Sequence, residues 1–110
     1  MYDTATDFSL DHEAMGSVLV LRPAGELDMA AEPTLMDLLP VVTAGSWSEV
    51  RVELAAVSFM DSTGCNFLLR LRRALPVETA RLVVRNPVPA VQTTLRLTRM
   101  DYLIPIEYDG

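Results

Sequence analysis

The chain has 110 residues, half of them hydrophobic, which suits one domain over residues 1–110 with a core of its own. A single cysteine excludes an intrachain disulfide, and no apolar run approaches the roughly 20 residues of a membrane span, so we expect a cytoplasmic protein without membrane contact. The formal net charge of −6 argues against nucleic acid as the main ligand.

The first half of the chain predicts an edge strand, a buried strand and a helix. Residues 8–13 alternate weakly between apolar and polar, and the continuous apolar run at 18–21 is typical of a buried strand. That strand is expected to end at Pro23-Ala24-Gly25, and Pro40 is expected to end or kink the helix. The helix follows Glu26-Leu27-Asp28 and has four apolar residues on one face: Leu35, Leu38, Leu39 and Val42.

The middle of the chain predicts a strand followed directly by a second helix. A strand-like apolar run extends over residues 50–59, with Arg51 and Glu53 alternating with apolar neighbours. The second helix is expected to follow Gly64 and to stop at Pro76, because proline cannot continue a helix.

The last third predicts a buried strand, a third helix and a terminal strand. Residues 82–84 indicate the buried strand, and Asn86-Pro87 starts the loop after it. Residues 103–106 indicate a strand that Pro105 places at an edge of the sheet. The alternation of strands and helices predicts an α/β domain with parallel strand pairs. The third helix has three apolar residues at helical spacing: Val88, Val91 and Leu95.

The corner between the second strand-like run and the second helix carries a small hydroxyl residue, Ser62. The first N–H groups of a helix lack intrahelical partners, so a hydroxyl there can cap the helix. A phosphate at the same place would meet the positive end of the helix dipole. Ser62 is therefore either a cap or a modifiable switch, with Thr63 as the competing acceptor. Asp61 is expected to fix the turn by accepting backbone N–H hydrogen bonds.

Charge is unevenly distributed along the chain. Residues 1–50 hold nine acids and one arginine, and residues 51–110 hold six acids and eight arginines. On the second helix, Asn66, Arg70 and Arg73 continue the stripe that begins at Ser62, which gives either a solvated face or a surface for an acidic partner.

Three motifs in this order and spacing resemble those of the anti-sigma factor antagonists, which are single STAS domains. They are Gly25-Glu26-Leu27-Asp28 after a buried strand, Phe59-Met60-Asp61-Ser62-Thr63-Gly64 before a helix, and Asn86-Pro87 after another strand. The resemblance covers nearly the whole chain. It implies an α/β fold with a mixed sheet of four to five strands and three to four helices packed on it.

The resemblance also implies a function in transcription regulation in the bacterial cytoplasm. The unphosphorylated protein would bind an anti-sigma factor that is an ATP-using serine kinase, and so release a sigma factor. Phosphorylation of Ser62 would switch binding off, and a phosphatase would restore it. The implied partner surface contains Asp61, Ser62 and the stripe Asn66, Arg70 and Arg73. Glu26 and Asp28 either cap the following helix or contact the partner.

The chain departs from the family pattern at three places. Glu53 stands where the family usually has Asp, and Cys65 stands where it usually has an aliphatic residue. Arg99-Met100 replaces a helix exit that usually contains glycine. Cys65, at a helix start, is expected either to have a lowered pKa or to be a buried, inert thiol. A non-switching STAS module, either a stress-complex scaffold or a partner subunit of a lipid-transport ATPase, is the alternative function.

Catalytic, metal and cofactor sites are not expected. His12 is the only histidine and has no second ligand for a metal site. A serine hydrolase is disfavoured because no Gly-x-Ser-x-Gly elbow is present. Half of an aspartic protease is disfavoured because the Asp61 motif has an extra residue and is followed by a helix. We therefore expect a binding protein, monomeric or weakly dimeric, and no enzyme.

Overall fold

The computed structural model describes residues 8–76 and 78–109. Within them, the strands are β1 (Ser9–Met15), β2 (Val18–Leu27), β3 (Glu49–Glu53), β4 (Val57–Met60), β5 (Arg81–Arg85) and β6 (Ile106–Glu107). The helices are α1 (Glu32–Ala44), α2 (Ser62–Ala74), α3 (Pro89–Leu97) and α4 (Met100–Leu103), with a short 3₁₀ helix at Met29–Ala31.

The sheet is mixed, in the order β1-β2-β3-β5-β6. β1 is an antiparallel edge strand, and every other pairing is parallel. β2 pairs first with β3 over residues 18–21 and then with β4 over residues 25–27, with a register shift at Gly25. The predicted fold class, a mixed α/β sheet with helices packed on it, is thus confirmed.

The helices bury one face of the sheet. Alternate strand residues such as Leu21, Val52 and Val84 join Leu35 of α1 and Phe67 of α2 in one core cluster. The opposite side, which we call the open face, carries six charged residues of the central strands: Arg22, Glu49, Arg51, Glu53, Arg81 and Arg85.

Pro23 and Pro40 were expected to interrupt a strand and a helix, but both elements continue through them. β2 continues through Pro23 to Leu27, because Pro23 lies where β2 has left β3 and has not yet joined β4, so no parallel ladder bond is lost there. α1 continues through Pro40 to Ala44. Pro40 is exposed, and its missing N–H leaves the Met36 carbonyl without its usual partner within the helix.

The run at residues 50–59 is two strands and not one. A turn at Ala55-Ala56 separates β3 from β4 and is held by the hydrogen bond from the Gly25 N–H to the Ala56 carbonyl (2.9 Å). The sheet therefore has six strands within the described residues, against the four to five expected.

The terminal strand is shorter than the residues 103–106 that were predicted. Leu103 closes α4, and β6 begins after Pro105, at Ile106. β6 pairs in parallel with β5 at the end of the sheet order, so the expected edge position is confirmed.

Candidate functional site

The corner between β4 and α2 is built by Asp61, which caps the helix. Asp61 has extended backbone (φ −110°, ψ −159°), and its Oδ1 accepts a hydrogen bond from the Thr63 N–H (2.8 Å). Its carbonyl accepts from the N–H groups of Gly64 (3.1 Å) and Cys65 (3.3 Å). The predicted role of Asp61 in fixing the turn is confirmed, and of the two alternatives for Ser62 the structure does not show the cap.

Ser62 is the first residue of α2, since the helix begins there and not after Gly64. The residue is exposed, and within the described part of the chain its side chain forms no hydrogen bond. Thr63 next to it is half-buried. Because Asp61 supplies the cap, the Ser62 hydroxyl is not required for the helix start.

The carboxyl ends of β2 and β4 bring a second acidic residue to this corner. Leu27 pairs with Met60, and the Asp61 N–H donates to the Leu27 carbonyl (3.2 Å). Asp28 follows Leu27 as Asp61 follows Met60, so the two carboxylates lie at the same edge. Asp28 Oδ1 accepts from the Ala30 N–H (3.0 Å), which caps the 3₁₀ helix.

Glu26 lies one step before this edge and is exposed. It pairs with Phe59 in the β2–β4 ladder. Glu26 does not cap a helix within the described residues, so of the two candidate caps in this loop only Asp28 has that role.

Gly64 lets α2 approach the strands closely. The residue is buried, and a Cβ atom built there would lie 2.3 Å from Met60 Cγ and 3.4 Å from Leu27 Cβ. A side chain at this position would push the helix start away from β2 and β4. Gly64 therefore has a structural role in the packing of α2 against the two strands.

The stripe on α2 faces solvent as predicted. Asn66, Arg70 and Arg73 are exposed, and the opposite side of the helix, with Phe67 and Leu71, is buried. Within residues 8–76 and 78–109, Arg70 and Arg73 form no ion pair. They line a shallow groove between α1 and α2 together with Leu39, Thr43 and Ala74.

Cys65 is buried, and the pKa of its thiol is raised and not lowered. Burial raises the pKa of the Cys65 thiol, and the carboxylate of Asp61 raises it further, against the opposing effect of a hydrogen bond to Thr98. Cys65 Sγ lies 3.6 Å from Thr98 Oγ1, which ties α2 to the end of α3. The lowered pKa that a helix start can produce is therefore not observed.

Two exposed apolar residues beside the corner were not predicted from the sequence. Met29, directly after Asp28, is 76% exposed, and Phe59, two residues before Asp61, is 46% exposed. Phe59 lies next to another exposed residue, Ser58, so the alternation that marks a buried strand face is absent. No periodicity signal could have identified either residue.

The described residues contain no cluster of side chains able to hold a metal ion, and His12 is exposed on β1. In the same residues, no helix has the length and apolar character needed to cross a bilayer.

Comparisons with known proteins agree with the fold. The family model described as "Mlab, STAS domain" matches residues 10–105. An anti-sigma factor antagonist from Mycobacterium paratuberculosis superposes with a TM-score of 0.81 at 28% identity, over 97% of this chain and 90% of that chain. No curated protein matches the sequence significantly.

The anti-sigma factor antagonist SpoIIAA is similar in both of its forms. Its unphosphorylated form gives a TM-score of 0.79 at 22% identity, over 93% of this chain and 89% of that chain. The phosphorylated form of the Bacillus protein gives a TM-score of 0.71 at 21% identity, over 93% of this chain and 92% of that chain. The shared fold thus extends over nearly the full length of each chain.

Proposed function

The chain belongs to the STAS domain family, and we propose that it is an anti-sigma factor antagonist whose binding is switched off by phosphorylation of Ser62. The observation that carries this proposal is the exposed Ser62 hydroxyl at the first position of α2, next to a cap that Asp61 provides. A serine that the fold does not need for capping is free to serve as an acceptor.

The partner in this proposal is an anti-sigma factor that is also an ATP-using serine kinase. The kinase transfers the γ-phosphoryl group of ATP to Ser62 Oγ, a base in the kinase takes the hydroxyl proton, and ADP leaves. A phosphatase hydrolyses the ester with water and returns the serine. The chain itself acts as a regulatory binding protein in the cytoplasm, and transcription changes without contact between this protein and DNA.

Ser62 is favoured over Thr63 as the acceptor because of exposure and bonding. Ser62 is exposed, whereas Thr63 is half-buried and its N–H is bonded to Asp61. A kinase must place the acceptor hydroxyl against ATP, so the more exposed residue is the better substrate.

The switch in this proposal works through local charge. A phosphate adds about −1.5 to −2 charges at neutral pH, and a helix N-terminus tolerates them while they remain solvated. A docked partner would have to desolvate the phosphate beside the Asp61 carboxylate and near Asp28, which costs free energy unless a cation pairs with them. The fold persists and the docking surface becomes more negative.

The proposed docking surface extends from this corner along α2. Asp61, Ser62 and the stripe Asn66, Arg70 and Arg73 are its centre, with Glu26 and Asp28 at its acidic side. The stripe is cationic in an acidic protein, so it favours carboxylates on the partner.

Mapping of the phosphate tests the proposal directly. The wild-type protein is incubated with ATP and its cognate kinase, and phosphopeptides are identified by mass spectrometry. Ser62→Ala should abolish labelling and keep partner binding, and Ser62→Asp should lose partner binding. Ser58→Ala is the matched control, because Ser58 is an exposed serine in β4 whose loss should leave labelling unchanged. Phosphate on Thr63 or elsewhere with Ser62 unmodified contradicts the proposal.

The alternative is a non-switching STAS module, either a stress-complex scaffold or a partner subunit of a lipid-transport ATPase. The matching family model, described as "Mlab, STAS domain", is not restricted to anti-sigma factor antagonists by its description and keeps this alternative in place. The same experiment separates the two functions. A non-switching module binds its partner equally well with and without ATP, and its Ser62→Asp variant keeps wild-type affinity.

A further inference from the structure

The end of α3 and the short helix α4 carry exposed apolar side chains that the proposed switch does not use. Within seven consecutive residues, Leu97, Tyr102 and Leu103 are 77%, 76% and 45% exposed. The hydrogen bond between Cys65 and Thr98 brings the residue before Arg99 to the first turn of α2, and Arg72 and Leu103 line one cavity near the end of α2, so α4 runs beside α2. We call the surface formed by Arg72, Arg99, Tyr102 and Leu103 the α4 flank.

The cavity on the α4 flank has the size of one apolar side chain. Its volume is ≈ 160 Å³, and its walls include Leu75, Leu82, Ile104 and Pro105. An apolar cavity of about 150 Å³ holds a benzene-sized group, whereas cofactor pockets measure about 300–1,000 Å³. The cavity therefore suits a protein side chain and is too small for a cofactor.

The flank is also cationic. Within the described part of the chain, Arg72 and Arg99 form no ion pair. Arg81, which also lines the cavity, is paired with Glu49 and Glu107, and Asp101 is the carboxylate that α4 itself contributes. The Arg99 guanidinium lies 5.1 Å from the centre of the Tyr102 ring, which holds it at the surface. These charges are complementary to carboxylates on a partner.

The backbone at Arg99 gives an independent reason to assign a role to this cation. Arg99 has φ +63° and ψ +18°, the left-handed conformation in which glycine is favoured and a larger residue is strained. Strained backbone of this kind is concentrated at functional and ligand-contacting sites, so it supports a role for Arg99 in binding.

We propose that the α4 flank is a second docking surface, which binds an acidic segment of another protein by taking one apolar side chain into the cavity and its carboxylates onto Arg72 and Arg99. A membrane is disfavoured because the chain has a net charge of −6, which anionic lipids repel. The proposal goes beyond the Ser62 switch and does not depend on it, since α2 presents the Ser62 stripe on its other side.

A titration with a model peptide tests this surface. The probe is a blocked pentapeptide with one leucine between two pairs of glutamates, added to ¹⁵N-labelled full-length protein and followed by NMR. Saturable shifts are expected at Arg72, Tyr102 and Leu103, with a Kd on the order of 1 mM. Replacement of the peptide leucine by alanine should weaken binding about tenfold, because the cavity then stays unfilled.

Protein variants locate the binding surface. Arg72→Glu should weaken peptide binding about tenfold. Arg22→Glu makes the same charge change on the open face, outside both proposed docking surfaces, and should leave binding nearly unchanged. Arg99→Gly should also bind more weakly while it relieves the strained backbone, so a loss of binding cannot be attributed to misfolding.

Several outcomes would overturn the proposal. They are the absence of saturable shifts, shifts confined to the Arg70 and Arg73 stripe, and equal binding of the leucine and alanine peptides. Shifts on the flank that depend on protein concentration without peptide would assign the surface to a second copy of this chain. Co-sedimentation with phosphatidylglycerol vesicles, without peptide binding, would assign it to a membrane.

Discussion

On the open face of the sheet every arginine is ion-paired, whereas the arginines carried by the helices and their ends are unpaired within the residues that the structure describes. Arg22 pairs with Glu13, and Arg85 alone bonds Glu53, Glu107 and Asp109. The other pairs of the open face join Arg51 and Arg81 to Glu49, and Arg81 to Glu107. The unpaired arginines are Arg70, Arg72, Arg73, Arg96 and Arg99.

The difference indicates two uses of the same residue type. On the open face, arginines neutralise carboxylates that neighbouring strands bring together, so their effect is on stability. On the helices, the guanidinium groups keep their full hydrogen-bonding capacity for other molecules. Substitutions on the open face should therefore change stability and spare binding, and substitutions on the helices should do the reverse.

The largest expected effect is on partner binding by the Ser62 stripe. Arg70→Glu should weaken binding to the anti-sigma partner by about 1–3 kcal/mol, because a charge-assisted contact becomes a repulsive one. Isothermal titration calorimetry measures the affinity. Arg22→Glu makes the same charge change on the open face and should keep wild-type affinity. Equal losses in the two variants would show that long-range charge, and not a contact at Arg70, controls binding.

On the open face, the substitution with the largest expected effect on stability is Arg85→Ala. It leaves Glu53, Glu107 and Asp109 close together without their shared cation, so the melting temperature should fall further than for any other single arginine. Arg22→Ala removes one exposed ion pair and should change stability little. Thermal unfolding followed by circular dichroism makes the comparison. A melting temperature of Arg85→Ala equal to that of Arg22→Ala would contradict the stabilising role of the network.

Replacement of Arg99, between α3 and α4, by glycine should stabilise the protein, whereas replacement of Arg85 should destabilise it. Arg99→Gly should raise the free energy of unfolding by about 0.5–1 kcal/mol, because glycine relieves the left-handed backbone and this gain is only partly offset by its greater freedom in the unfolded chain. Arg99→Ala removes the cation and keeps the strain, so it should show no gain. Urea unfolding measures the stability of both variants, provided that the slope of the unfolding free energy against urea concentration is the same as in the wild type. A less stable glycine variant would mean that the contact with Tyr102 outweighs the strain.

The smallest expected effect is a dependence on pH of the stability that the ion pairs of the open face contribute to the protein. The hydrogen bond from Arg81 holds the pKa of Glu107 below its ordinary value, with further lowering by the charges of Arg81 and Arg85. A carboxylate with a lowered folded-state pKa stabilises the protein above its unfolded pKa of about 4.3, and this stabilisation is lost as pH falls through the folded pKa.

The measurement is the difference in melting temperature between the wild type and Glu107→Gln. This difference should be constant near neutral pH and should shrink below about pH 4. A difference that persists at the most acidic pH would mean that packing, and not charge, sets the effect of Glu107.

Much of the corner around Ser62 was predictable because its signals are local. A strand followed by Asp61, a small hydroxyl residue and a glycine before a 3.6-residue apolar pattern indicates a helix start and its exposed stripe. The sequence left open whether Ser62 is the cap, because two neighbouring residues, Asp61 and Ser62, can both cap a helix. The backbone angles at Asp61 decide between them, and these depend on the bond between the Asp61 N–H and the Leu27 carbonyl.

The sequence by itself determined the main order of strands and helices, the buried faces of α1 and α2 and the position of the exposed serine, because these follow from periodicity and residue chemistry over a few neighbours. Only the tertiary structure decided where β2 passes from β3 to β4, how Pro23 and Pro40 are accommodated, and which arginines are paired. These features depend on residues far apart in the chain, such as Arg85 and Glu53, which come together only when the strands align. Pairing across a sheet is a property of register, and register is set by the whole fold.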